Sequence, residues 1–225
     1  MSGSAPPPQD RVRGLYCIIE ATPSDVDAVQ SIADSLLEGG ANVIELRMPG
    51  ASPRVIAETT QALIGRCHTR ATLILSDRLD VALGLGTDGI HLGPDDIPTT
   101  VAKTLARQGF LIGRTATTSE GVRAARMAGV DYMLFEIAPR GTTADARAFA
   151  DFLGICTWVD APLFAVAAAN EESIRQVARP GTAGAAVFFR TSDGPVAPER
   201  IRALSKAFQE EQSRGRRSPG NYPFA

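Results

Sequence analysis

The chain holds few of the residues that do nucleophilic, redox or metal chemistry: two lysines, two histidines and three cysteines among 225 residues. Each shortage excludes something. Cys17, Cys67 and Cys156 are odd in number and widely spaced, with no C-x-x-C pair and no histidine cluster. Neither a disulfide framework nor a zinc site is expected, and the three thiols read as reduced core residues. Lys103 and Lys206 both fall in segments with helical periodicity, so no lysine stands at a strand end where it could attack a carbonyl. No apolar run approaches the roughly 18–20 residues of a membrane span. The opening "MSGSAPPPQDRVR" lacks the apolar stretch of a signal sequence, so a soluble cytoplasmic chain with no membrane partner is expected. The net charge is −2 and the pI is near 5.8, and no basic block lies outside the extreme tail. A nucleic-acid partner is therefore not expected.

What is present is apolar and regular. At 44% hydrophobic, the chain can bury the core of one large α/β domain or two small ones. Short apolar runs, "LYCIIEA", "NVIELRM", "TLILSD", "GIHLG", "FLIGRTA", "DYMLFEIA", "PLFAVAAA" and "AGAAVFF", alternate with longer helical patterns. Runs without strict polar alternation suit strands covered on both faces, as in a parallel sheet. Between the first two runs, Val26, Val29, Ile32, Ala33, Leu36 and Leu37 lie on one helical face. Ser24 and Asp27 precede them as a capping-box pair, and Gly39-Gly40 follows as a stop. Further helices are expected over 53–66, 98–107, 119–127, 144–153, 171–177 and 198–212, with a short one in "RLDVALGLG". Eight strand-helix units predict a single (β/α)8 barrel over residues 14–212, with flexible tails at 1–13 and 213–225. An open doubly wound sheet is less favoured, because no G-x-G-x-x-G follows the first strand.

In such a barrel the carboxyl ends of the strands converge on one mouth. The polar residues there are Glu45 and Arg47 after strand 2, Ser76 and Asp77 after strand 3, and Asp95 and Asp96 after strand 4. Arg114, Thr115 and Thr117 follow strand 5, Glu136, Arg140, Thr142 and Thr143 follow strand 6, and Arg190 follows strand 8. Carboxylates from adjacent strands suit a hard cation that keeps several waters, such as magnesium, and with Arg47 they suit a phosphate group. The alternative is that Asp77 caps the short helix after strand 3 and Asp95 or Asp96 caps the next. His91 reads as a hydrogen-bonded barrel-interior residue, and His68 as solvated.

The stretch "LSDRLDVALGLGTDGIHLGPDDIP" resembles the thiamine phosphate synthase/thiazole tautomerase family, and "IGRTATTSEGVRAARMAGVDYM" looks like that family's next segment. The resemblance spans strands 2 to 6 and identifies the chain as a divergent member. It implies the joining of a pyrimidine pyrophosphate to a thiazole phosphate, with magnesium-assisted departure of pyrophosphate. By position, it makes Asp77 and Asp96 the metal ligands, Arg47 a catalytic residue facing pyrophosphate, and Thr115 a second catalytic position. Glu45, Ser76, Arg140 and Thr143 become substrate contacts. The family's Gln reads Glu45, two of its lysines read Pro49 and Ala144, and the histidine of its tautomerase branch reads Thr117. Its Gly-Gly after strand 7 reads Ala167-Ala168, and its Ser after strand 8 reads Phe189, which is expected to narrow the phosphate cradle.

Three functions follow. One is a thiamine phosphate synthase-like transferase acting on a small phosphorylated or anionic ligand with Mg2+. Another is a repurposed ligand-binding or regulatory barrel, and the third a metal-assisted aldolase using Asp77, Asp96, Arg47 and Glu45. A homo-oligomer is compatible with each.

Overall fold

The computed structural model describes residues 11–137 and 146–217. Eight parallel strands alternate with eight helices: β1 (Gly14–Glu20), α1 (Val26–Glu38), β2 (Val43–Arg47), α2 (Pro53–Cys67), β3 (Thr72–Ser76), α3 (Leu79–Leu85), β4 (Gly89–Leu92), α4 (Thr99–Leu105), β5 (Leu111–Ala116), α5 (Ser119–Met127), β6 (Tyr132–Phe135), α6 (Ala146–Cys156), β7 (Leu163–Ala167), α7 (Glu171–Val177), β8 (Gly184–Arg190) and α8 (Pro198–Arg217). Each strand pairs with its successor, and β8 returns to β1 from Gly14↔Gly184 to Glu20↔Arg190. The sheet closes into a single (β/α)8 barrel.

Closure explains why the strands read as apolar on both faces. Leu15, Cys17 and Ile19 of β1 join the layer between sheet and helices, whereas Tyr16 and Ile18 join an inner cluster with Val43, Ile74, Leu111, Tyr132, Leu134, Phe164 and Ala186. The alternation is present, but both destinations are dry. Two glycines give the inner aromatics their room. A Cβ on Gly113 would lie 2.0 Å from Cζ of Tyr132, and one on Gly184 would lie 2.0 Å from the carbonyl oxygen of Gly14.

The helix boundaries show which local signals prevailed. Ser52 caps α2 by accepting from the Val55 N–H at 3.3 Å, with Pro53 in the first turn. The expected Ser24/Asp27 box does not form: Asp25 occupies the N-cap position, and its carboxylate accepts from the hydroxyls of Thr22 at 2.6 Å and Thr191 at 2.7 Å. The first loop is thereby tied to the loop after β8. Helix α4 is shorter than the expected 98–107, because the chain becomes extended at Ala106.

Ordered structure also exceeds the expected 14–212. Helix α8 runs on to Arg217. At the base of the barrel Val12 is fully buried, and Arg11 pairs with Asp88 and donates to the Gly109 carbonyl at 2.7 Å.

Candidate active site

Above the inner apolar cluster, the barrel interior turns polar. Tyr16 of β1 donates its hydroxyl to Glu45 Oε2 at 2.7 Å and lies 3.1 Å from the Tyr132 hydroxyl of β6. Ser76 donates to the other Glu45 oxygen. Glu45 is 1% exposed, so two hydroxyl donors hold a carboxylate beneath the mouth rather than in it. Burial, with the charge of Glu45 added, keeps both tyrosines well above their usual pKa, so both stay protonated donors. Next to Ser76 in register, His91 lies 2.8 Å through Nε2 from Thr115 Oγ1, while its Nδ1 has no partner. Burial lowers its pKa and favours the neutral ring. The expected barrel-interior histidine is thus observed, and its partner is the predicted catalytic position Thr115.

The helix-capping alternative is not observed for the acidic pair. Neither α3 nor α4 has a side-chain cap: their N-cap positions are Arg78 and Pro98. Asp77 sits at φ 67°, in the left-handed region, with its backbone N–H on the His91 carbonyl at 3.0 Å. Its carboxyl group lies beside that of Asp96. Asp96 in turn folds its own loop, accepting from the Gly93 N–H at 2.6 Å. Partial desolvation, then the side-chain contact and like charge of Asp96, push the Asp77 pKa up to about 7 against the pull of Arg47. Two oxygen-donor groups crowded in this way form an anionic pair that a hard cation would relieve. Among the described residues no group of three or more His, Cys, Asp and Glu side chains stands at metal-binding spacing. Among these residues a cation would have at most the two carboxylates as ligands, with water or substrate completing its shell.

Beside this pair lies a second charged group. Glu20, ending β1, is flanked in register by Arg47 of β2 and Arg190 of β8. Its carboxylate lies 3.4 Å from Arg47 Nε and 3.0 Å from Arg190 Nε. The Arg47 Nε is buried and makes no hydrogen bond despite that proximity. Among the mouth positions, Thr117 is exposed and lines a hollow of about 440 Å³ between Pro94–Thr100 and α5. Arg114 is held there by the carbonyls of Pro94 at 3.2 Å and Ile97 at 3.4 Å. Arg140, Thr142 and Thr143 lie outside the described residues.

Residues 15–189 match the family model described as thiamine monophosphate synthase. The chain belongs to that family. The thiamine-phosphate synthase of Anaeromyxobacter dehalogenans is 32% identical over 204 residues, covering 88% of this chain and 90% of that protein. The thiamine-phosphate synthase of Pyrococcus furiosus is 34% identical over 188 residues, covering 81% and 89%. Among solved structures, the thiamine phosphate pyrophosphorylase from Pyrococcus furiosus is similar with a TM-score of 0.75 at 26% identity, covering 90% of this chain and 98% of that one.

For this member of the thiamine monophosphate synthase family, one expectation is corrected. Phe189 does not narrow the mouth: it is 3% exposed and packs between sheet and helices, with the Arg200 guanidinium 6.0 Å from its ring centre. The inward side chain is Phe188, which packs against the inner cluster. Glu20, Tyr16 and Tyr132 were not singled out from the sequence. The available signal was a hydroxyl and a carboxylate inside otherwise apolar runs, Tyr16 and Glu20 in "LYCIIEA" and Tyr132 in "DYMLFEIA".

Proposed function

We propose that the chain joins a pyrimidine pyrophosphate to a thiazole ring nitrogen, with Mg2+ held by Asp77 and Asp96. The observation that supports this most is the adjacent Asp77–Asp96 pair, with the buried, unbonded Nε of Arg47 on the neighbouring strand end. The donor set fits magnesium, which when bound supplies positive charge against the departing pyrophosphate.

The chain's own residues have distinct tasks in this reading. Arg47 offers a planar guanidinium to the pyrophosphate, and Glu20 at 3.4 Å holds it at the strand end. Thr115 presents a hydroxyl whose orientation is set by His91. Ser76 and Glu45, bonded to each other, brace the strand that carries Asp77. Arg140 and Thr143, which follow β6 in sequence, serve as substrate contacts. Pro49, where the family has a lysine, removes one charge-assisted contact. Such contacts contribute roughly 1.5–3 kcal/mol, so weaker pyrophosphate binding is expected than a full set would give.

Calorimetric titration with inorganic pyrophosphate, with and without magnesium, tests the reading. Magnesium-dependent heat that disappears in Arg47→Ala and in the Asp77→Ala/Asp96→Ala double variant supports it. Binding unchanged by the double variant sinks the metal assignment.

A further inference from the structure

Three charged side chains form one row at the top of the barrel interior. Arg47, Glu20 and Arg190 are partners in register on β2, β1 and β8. Arg47 shares the strand phase of Val43, Glu20 that of Tyr16 and Ile18, and Arg190 that of Ala186 and Phe188, all members of the inner cluster or packed on it. The charges run plus, minus, plus, and the central carboxylate turns a different oxygen to each neighbour.

The two contacts differ in kind. Arg190 Nε donates to Glu20 Oε1 at 3.0 Å. Arg47 Nε lies 3.4 Å from Glu20 Oε2 and, although buried, makes no hydrogen bond. Arg190 is thus bonded to the carboxylate, whereas the Nε of Arg47 is only attracted to it. The surroundings hold Arg190 to this arrangement. Its guanidinium lies 6.0 Å from the Phe188 ring centre, and the next residue, Thr191, donates its hydroxyl to Asp25 at 2.7 Å. Asp25 is the N-cap residue of α1, so the chain after β1 and the chain after β8 are fastened together beside the row.

We propose that Arg190 is a positioning residue for pyrophosphate: by bonding Glu20, it lets that carboxylate aim Arg47 through charge while the Arg47 Nε–H stays available to the anion. The proposal rests on the transferase reading above and adds to it a residue that acts on pyrophosphate only through Glu20. The physical reason is competition. An ionised carboxylate accepts from a guanidinium as readily as pyrophosphate does, and a carboxylate turned wholly to Arg47 would form an ion pair that the anion must break. The Glu20 side chain is only 21% exposed, so taking a cation from it is costly unless another stays bonded. Arg190 is that second cation. When Arg47 turns to the anion, the Arg190 hydrogen bond to Glu20 remains.

The test is calorimetric titration with inorganic pyrophosphate and magnesium of the full-length parent, Arg190→Met, Glu20→Gln and the double variant. The ionic strength is roughly 0.15 M, where exposed charges more than about 8 Å apart are largely screened. Arg190→Met is expected to weaken binding about tenfold. In the Glu20→Gln background the same substitution should change affinity by less than about twofold, because the neutral amide no longer competes for Arg47. Arg190→Gln, which keeps a polar chain at the seam, is read in the same two backgrounds, so the comparison does not hang on one folded variant. A loss of equal size in both backgrounds overturns the proposal, since Arg190 would then act on the anion directly or through the fold at large. Unchanged affinity on substitution of Arg190 in the parent background overturns it as well. Absence of pyrophosphate binding by the parent itself is a distinct result, which removes the transferase reading and the proposal together.

Discussion

Asp77 and Asp96 reach the mouth from neighbouring strands β3 and β4 with their carboxyl groups side by side, and neither caps a helix. Burial and the neighbouring Asp96 disfavour the charged form of Asp77. The pair is a local cost to the folded chain that a bound cation would remove.

The cost has a definite sign with pH. The Asp77 pKa rises from 3.8 to about 7 on folding, so the favourable contribution of its protonated form is complete below pH 3.8 and disappears as pH rises through about 7. Asp77→Asn should therefore be more stable than the parent at pH 8 without metal. The gain is on the order of 1 kcal/mol, because Asp77 is exposed and water screens the pair. Urea unfolding midpoints at pH 8 and pH 4.5 check this: the gap between the two proteins should shrink at the lower pH, and a less stable Asn variant at pH 8 would contradict it.

Removing the Tyr16 hydroxyl tests the buried network. Tyr16→Phe deletes the 2.7 Å donor to a carboxylate that is 1% exposed, and leaves the Ser76 hydroxyl donating to its other oxygen. Loss of a charge-assisted bond at a buried site costs about 1.5–3 kcal/mol. Thermal unfolding should show that loss with the circular dichroism spectrum unchanged, and an unaltered melting temperature would remove Glu45 from the account of stability.

Gly184→Ala tests closure of the barrel. The added methyl carbon would meet the Gly14 carbonyl oxygen at 2.0 Å, a backbone atom in the pairing of β8 with β1. Overpacking of this kind costs typically 1–3 kcal/mol and more where backbone must shift, so a loss of about 3 kcal/mol is expected in denaturant titrations. A change under about 0.5 kcal/mol would mean that the β8–β1 seam yields more easily than its geometry indicates.

The barrel itself was legible because each strand must be apolar on both faces to sit between a packed interior and a shell of helices. The same property hid which way individual residues point. In "AGAAVFF" both phases are apolar, so nothing local separates Phe188, which faces the mouth, from Phe189, which faces Arg200. Glu20 was visible as a carboxylate closing an apolar run, but its place between Arg47 and Arg190 exists only once β8 closes on β1, 170 residues apart in sequence for the Arg190 bond. Ser24 and Asp27 carried a capping signal, yet Asp25 took the N-cap position and reached Thr191 across the seam. Long-range pairing prevailed over the local motif.

The most direct test of the central claim, that Asp77, Asp96 and Arg47 form a magnesium–pyrophosphate half-site, is calorimetric titration of the full chain with inorganic pyrophosphate at pH 8 with and without magnesium. Saturable binding that needs magnesium and is lost in Arg47→Ala is expected. Binding of equal affinity without the metal, or no binding up to millimolar pyrophosphate, would contradict it.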